Sequence, residues 1–559
     1  MTFDSGANLA PVVTGSITLF FETTLTSERI AAAEASGGWS SELLYERFTS
    51  HLPAKQDDAL VVDLNGTMTW GEASKAIDQL SRGLLELGVR RGDVVQVQLP
   101  NRREFLLSVL AVERIGAAVN PVAPIFRHNE LTVMSGLAQP SVVITTDDYR
   151  GFDLSAMHLE LVEQCPWVNH VVVAPTQPGD SVAADAWSWD AVLEAGEKSD
   201  WTDQALGLLR PSPNDVCEVI FTSGTTGQPK GVMHTQNTIN VAADVWLERV
   251  APGCVVFHMA STLAHQTGYL YGIRAPISAG GQVIFQEVWD GAEFARLIEQ
   301  HRIQATMGAT PFLSDLLNAQ SVEQADLSSF RSFVCAGAAI PLPLLEQAKS
   351  ELPCTVLPGW GMTETGLSTI GDPGDEFEKL TTDGSIVEGN EVRVVNDAGS
   401  PVDSGVEGDL QFRGTEAFVG YIQGRELTDS CWRDGWFDTG DRATIDSDGY
   451  LKISGRTKDI VIRGGENIPV KEVEDVLLRH PMVGNVAVVG LPHERLGEIG
   501  CAVVLTDGDQ DPTLKDLTDF LNEYKVTRQF WPERLEIVDE FPMTPSGKVQ
   551  KYKLRQRLG

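Results

Sequence analysis

A chain of 559 residues can hold several ordinary domains, or one large α/β body with a smaller unit attached. With 78 acidic against 43 basic residues its formal net charge is −35, which argues against a general nucleic-acid binder and against electrostatic docking on anionic membranes. Seven scattered cysteines without a C-x-x-C pair point away from a disulfide framework or a zinc site, and no run of about 18 apolar residues marks a spanning helix.

The first Lys or Arg is Arg29, and Asp4 precedes it, so the positive start of a secretory signal is missing and a cytoplasmic location is expected. Ile17–Phe21 reads as a short strand, and residues 41–52 have helical spacing. Leu60–Asp63 and Thr67–Trp70 flank Asn65-Gly66, which predicts a hairpin with a type I′ turn. A helix over 71–87, a strand over 93–99, a helix over 103–115 and strands at 117–122, 141–145 and 170–174 follow. This alternation predicts an α/β fold, a doubly wound and mostly parallel body. Residues 175–212 are polar and read as a surface connection.

Val219-Ile220-Phe221 then feeds Thr222-Ser223-Gly224-Thr225-Thr226-Gly227-Gln228-Pro229-Lys230-Gly231. Glycines let a backbone approach a ligand closely, and successive N–H groups and hydroxyls can surround phosphate oxygens beside a lysine. An ordinary polar turn rarely needs so many hydroxyls. The common P-loop ends in Gly-Lys-Ser/Thr, and this stretch does not.

A helix over 236–250 and a strand over 254–259 lead to His265, which taken alone is as often structural as functional. Strands follow at 281–285, 305–311 and 333–339, the last two rich in small residues that leave room for a ligand or allow tight packing. In Gly359-Trp360-Gly361-Met362-Thr363-Glu364, Trp360 offers a flat apolar face and Glu364 a hard oxygen ligand; a helix start with an acidic first turn is the plainer alternative. Residues 391–423 alternate as a small antiparallel sheet, Asp441 ends a Trp436–Asp441 run, and Asp448-Gly449 turns a hairpin. Residues 455–467 mark a boundary, and the last hundred residues read as a separate α/β unit ending in Thr544-Pro545-Ser546-Gly547-Lys548.

These motifs, in this order, resemble the adenylate-forming superfamily, which includes acyl-CoA synthetases, adenylation domains and beetle luciferases, over about residues 40–559. Leu-Ala-His-Gln-Thr-Gly, Met-Gly-Ala-Thr-Pro-Phe and Arg-Gly-Gly-Glu-Asn-Ile are most similar to bacterial short- and medium-chain fatty acyl-CoA synthetases and cyclohexanecarboxylate–CoA ligases. The resemblance implies two domains, an N-terminal AMP-binding body over 1–457, with a β-rich subdomain, and a mobile C-terminal lid over 458–559. It implies that Thr222, Ser223, Gly224, Thr225, Thr226, Gly227 and Lys230 grip the ATP phosphates. Trp360 would stack on adenine, with Gly337, Ala338, Gly361 and Met362 around the nucleotide, and Asp441 and Arg456 would hold the ribose. Thr363 would bond the α-phosphate and Glu364 would hold Mg²⁺. His265 would gate the acyl pocket, and Lys458 would be the pivot. Gly464 and Gly465 would line a coenzyme A tunnel, and Lys548 would bind both the carboxylate and the α-phosphate.

The expected reaction joins a medium-chain or alicyclic monocarboxylic acid to CoA through an acyl-adenylate, in fatty-acid metabolism, and a homodimer is compatible with it. Residues 255–286 hold no Asp or Glu, which disfavours an amino-acid substrate whose ammonium needs a partner. Transfer to a carrier protein, and a non-catalytic nucleotide-binding protein, remain as alternatives. One position departs from the resemblance: Phe530 stands where relatives carry a basic residue, which leaves CoA phosphate contacts open there.

Overall fold

The computed structural model describes residues 21–559 apart from 178, 223–228, 338–339, 457–460, 464–465, 469, 494–495, 509, 525, 527 and 545–547. The expected strand at Ile17–Phe21 lies almost wholly outside these residues.

Two large sheets form the body. A nine-stranded sheet runs in the order Ser385–Ile386, Gly366–Ile370, Thr355–Met362, Ser332–Ala336, Ala305–Gly308, Val256–Met259, Gln282–Phe285, Ala59–Asp63, Gly66–Thr69. Its middle strands are parallel and both edges are antiparallel. The eight-stranded sheet has parallel strands from Val216–Thr222 to Trp187–Ser188 and an antiparallel edge at Lys230–Thr235 and Gly420–Tyr421. Helices between the strands bury their apolar stripes in one shared core. The helix Trp70–Glu86 is typical: Thr69 accepts from Glu72 N–H at 3.2 Å, the Glu72 carboxylate accepts from Thr69 N–H at 2.8 Å, and Ile77, Leu80 and Leu84 are fully buried. Each such side chain contributes roughly 1.5–3 kcal/mol by leaving water.

Two expectations need correction. The hairpin forms, with Val62 opposite Thr67 and Asp63 opposite Gly66, but its turn is not type I′. Leu64 and Asn65 are the turn residues, and of Asn65 and Gly66 only Gly66 has positive φ, at +92°. Type I′ needs two such residues. Asp63 favours the observed turn by accepting from Asn65 N–H at 2.9 Å.

Residues 175–212 are also more than a connection. They contain the helices Trp189–Glu197 and Asp203–Gly207. Ser188 caps the first by accepting from Ala191 N–H at 3.1 Å. That helix crosses Trp70–Glu86 so closely that a β-carbon on Gly196 would lie 1.8 Å from the Gln79 carbonyl oxygen.

An antiparallel five-stranded sheet, Asn390–Val395 to Leu451–Arg456, packs beside the body. A further five-stranded sheet lies within residues 461–537, with its own two apolar clusters. Phe530 and Trp531 pack against the first of these, which accounts for an apolar residue at position 530. All seven cysteines are free, and six are buried.

Candidate active site

The two strands that flank the phosphate-loop stretch pair antiparallel. β-Branched and aromatic residues make Val216–Thr222 a strand, which returns as Lys230–Thr235 with Thr222 opposite Lys230. Ser223, Gly224, Thr225, Thr226 and Gly227 lie outside the described residues. Lys230 Nζ sits 5.1 Å from the centroid of the Tyr421 ring, a cation–π contact.

Trp360 is not at a helix start. Gly359-Trp360-Gly361 lies inside the strand Thr355–Met362, and a turn at Thr363–Thr365 leads into the antiparallel strand Gly366–Ile370. The strands approach so closely that a β-carbon on Gly361 would lie 1.9 Å from Gly366 O. Gly361→Ala is therefore expected to cost roughly 1–3 kcal/mol of stability, read by chemical denaturation. A destabilisation of under a few tenths would overturn this reading of the turn.

Trp360 is 8% exposed and packs on Val394, Leu410, Ala443 and Leu451 of the small sheet. Its Nε1–H donates to Asp441 Oδ2 at 2.9 Å, so the two residues expected around adenine and ribose are joined directly. Asp441 lies opposite Arg456 in the ladder between Trp436–Ile445 and Leu451–Arg456.

The turn carrying Thr363 and Glu364 is held from two sides by residues that sequence reasoning missed. His234 Nε2–H donates to Thr363 O at 2.7 Å. Burial pushes this imidazole down to about 4, so it is neutral, and the hydrogen bond fixes its tautomer. Tyr421 donates its hydroxyl to Glu364 Oε1 at 2.8 Å, and burial and Glu364 hold that phenol protonated. Tyr421 thus touches both Lys230 and Glu364. His234 was reachable from the sequence, four residues beyond Lys230. Tyr421 carried no local signal.

His265 caps the short helix Gln266–Tyr269, its Nδ1 accepting from Thr267 N–H at 3.3 Å. It is pushed down to about 4, by burial first and then by the positive charge of Lys548. Lys548 comes from the far end of the chain. A β-carbon on Gly337, whose φ is +90°, would lie 3.2 Å from Lys548 Cε and 3.8 Å from Nζ. Thr544 positions that lysine's backbone by accepting from Lys548 N–H at 3.0 Å. Gly337, His265 and Lys548 therefore converge. Ala338, Lys458, Gly464 and Gly465 lie outside the described residues. A cavity of about 190 Å³ is lined by Pro358 and Gly359 on one side and by Lys471 and Arg479 on the other, and none of Gly337, His265 and Lys548 lines it.

Glu364 offers a single carboxylate, whose Oε1 accepts from the Tyr421 hydroxyl; a Mg²⁺ ion would take it as one ligand, with the remaining places left to phosphate oxygens. Among the described residues no group of three or more His, Cys, Asp or Glu could hold a metal by itself, and no helix is long and apolar enough to cross a membrane.

The family model of AMP-binding enzymes matches residues 48–422, and that of their C-terminal domain matches 472–548. The chain belongs to the AMP-binding enzyme family. This AMP-binding enzyme is 33% identical over 542 residues to the medium-chain fatty-acid–CoA ligase of Escherichia coli, covering 96% of this chain and 94% of that one. It is 32% identical to a feruloyl-CoA synthase of Amycolatopsis, covering 90% and 96%. Its fold matches a crystal structure of the anthranilate CoA ligase AuaEII in complex with anthranoyl-AMP, with TM-score 0.83, 24% identity and coverage of 92% and 97%.

Proposed function

We propose that this AMP-binding enzyme, an AMP-forming acyl-CoA synthetase, activates a medium-chain or alicyclic monocarboxylic acid, with the site residues named above in the roles that follow. The observation that carries the reading is the convergence of Lys548, Gly337 and His265, brought together from three distant parts of the chain. The first step joins two anions. A carboxylate oxygen attacks the α-phosphorus of ATP, the bond to pyrophosphate breaks, and acyl-AMP forms. Lys548 lies between the two reactants and offsets their repulsion. Lys230 and the 222–227 stretch take the β- and γ-phosphates, Thr363 the α-phosphate, and Asp441 with Arg456 the ribose. Mg²⁺ on Glu364 supplies further charge neutralisation when bound.

In the second step the CoA sulfur attacks the acyl carbon and AMP leaves. The domain beyond about residue 458 turns on Lys458, withdraws Lys548, and brings Gly464 and Gly465 to the thiol tunnel. Neutral His265 gates the acyl pocket without a charge. The substrate class rests on the medium-chain relative and on the apolar, aromatic surroundings of residues 255–286. The fold does bring an acid to that stretch, Glu218 against Gln266, but burial pushes it up to about 8. It is neutral at pH 7 and offers no counter-charge to an ammonium.

Pyrophosphate release from ATP across a panel of acids tests this, with and without CoA and with a carrier protein as rival acceptor. The panel spans propionate to palmitate and includes cyclohexanecarboxylate, benzoate, ferulate and amino acids. CoA-dependent turnover greatest with hexanoate to decanoate or with cyclohexanecarboxylate is expected. Preference for an amino acid, or for the carrier protein, would overturn the reading.

A further inference from the structure

Behind the acyl gate lies a buried polar cluster that the two-step chemistry does not use. Glu218 stands on the strand that runs into the phosphate loop, and its side chain is fully buried. Its Oε2 accepts from Gln266 Nε2–H at 3.2 Å. Glu218 Oε1 and Gln266 Oε1 have no partner among the described residues. Gln266 follows His265 and opens the helical run that passes through the π-turn Leu270–Arg274. Arg274, at the end of that turn, is the cation of the cluster. It pairs with Glu113 of the helix Arg103–Arg114, and its Nη1 donates to Asn240 Oδ1 at 2.6 Å and Gln236 Oε1 at 3.1 Å. Two carboxyls thus face one guanidinium, and Glu113 holds the direct contact.

We propose that Glu218 is a positioning residue for the acyl site: its buried carboxyl holds the Gln266 amide, and with it the His265 turn, against the strand that leads to the phosphate loop. One side-chain pair then sets where the bound carboxylate stands relative to the triphosphate. The inference rests on the proposed ligase reading, and acid-dependent exchange by the unaltered chain establishes that reading first.

The charge state of Glu218 gives the pair its pH dependence. Burial pushes the carboxyl up to about 8, Arg274 opposes that shift, and Glu113 adds to it. The other groups facing it are Tyr269 and Cys217, both held protonated by burial, and His234 on the paired strand, which is neutral. Below about pH 8 the acid is protonated and accepts from the Gln266 amide without adding charge to the cluster. Above it the carboxylate can only accept, and it brings an uncompensated charge into the cluster.

The test is acid-dependent ATP–pyrophosphate exchange without CoA, so that no thiol titrates, with KM for the carboxylate and for ATP measured separately from about pH 6 to about 9.5. For the unaltered chain, KM for the carboxylate is expected to rise roughly tenfold through pH 8 while KM for ATP stays level. Glu218→Gln keeps a neutral donor and acceptor, so its carboxylate KM stays low and flat across the range. Glu218→Leu raises carboxylate KM roughly tenfold at every pH and leaves KM for ATP level. Glu416, also buried and pushed up to about 8, is a second group that titrates here. If Glu218→Gln retains the alkaline rise, the titration belongs to Glu416 and the proposal fails. It fails equally if both KM values move together in the Leu variant while Glu218→Gln matches it, since that pattern marks a purely structural role.

Discussion

Lys548→Ala lowers acid-dependent ATP–pyrophosphate exchange by roughly 10²- to 10³-fold. The size follows from where the lysine stands. Its Cε and Nζ fall within 4 Å of the space above Gly337, and its charge is felt by half-buried His265. A unit charge about 4 Å from a reacting anion is worth about 4 kcal/mol at an effective dielectric of about 20. Losing one preorganised stabiliser in such sites costs about 2.7–4 kcal/mol of barrier. The two figures agree, so a single lysine accounts for the whole expected effect. In a chain of net charge −35, bulk electrostatics offers two anionic reactants no help. Thioester formation from supplied acyl-adenylate should change by less than about threefold, because in the proposed reaction Lys548 is withdrawn before that step. Lys548→Arg should recover little, since a broad planar guanidinium does not replace a compact ammonium at this place. Unchanged exchange in Lys548→Ala would remove the residue from the first step.

The motifs that were legible in the sequence are those whose chemistry is contiguous. The apolar run Val219–Phe221 and the strand–helix alternation each report on a local backbone, and each forms, the run within the strand Val216–Thr222. Their surroundings were not legible because the partners are distant in sequence. Tyr421 reaches Glu364 across 57 positions, and Trp360 reaches Asp441 across 81. Glu218 and Gln266 are 48 apart, so an acid-free segment still faces an acid. Short-range errors have local causes. Asn65-Gly66 suggested a type I′ turn, but the Asp63 carboxylate bonds Asn65 N–H and shifts the turn by one residue. Gly-Trp-Gly suggested a turn or helix start, but tertiary pairing with Gly366–Ile370 makes it a strand. Residues 175–212 were too polar to signal a helix, yet Trp189 and Val192 suffice once Gly196 lets that helix approach its neighbour.

Arg274→Ala should destabilise the chain by about 3–5 kcal/mol, read as a shift in the midpoint of chemical denaturation. The side chains of Arg274 and Glu113 are 0% and 1% exposed, so neither charge has recourse to water. Glu113 would keep its bonds from Tyr269, at 2.8 Å, and from Gln236 Nε2–H, at 2.6 Å, but would lose its counter-ion. Asn240 and Gln236 would lose a donor. The deficit should depend on pH, with a sign that can be worked out. Burial raises the Glu113 carboxyl above its ordinary value, and Arg274 is what opposes the rise. Without Arg274 the folded-state value climbs further. A carboxyl raised on folding loses stability as pH climbs from its unfolded value toward its folded one. Arg274→Ala should therefore lie nearer to the unaltered chain at about pH 5 than at about pH 8. Pairing Arg274→Met with Glu113→Gln removes both charges and keeps most of the volume, and it should recover most of the loss. If the double variant is as unstable as Arg274→Ala alone, the hydrogen bonds from Arg274 to Asn240 and Gln236, not the neutralised charge, hold the helical run behind His265 in place.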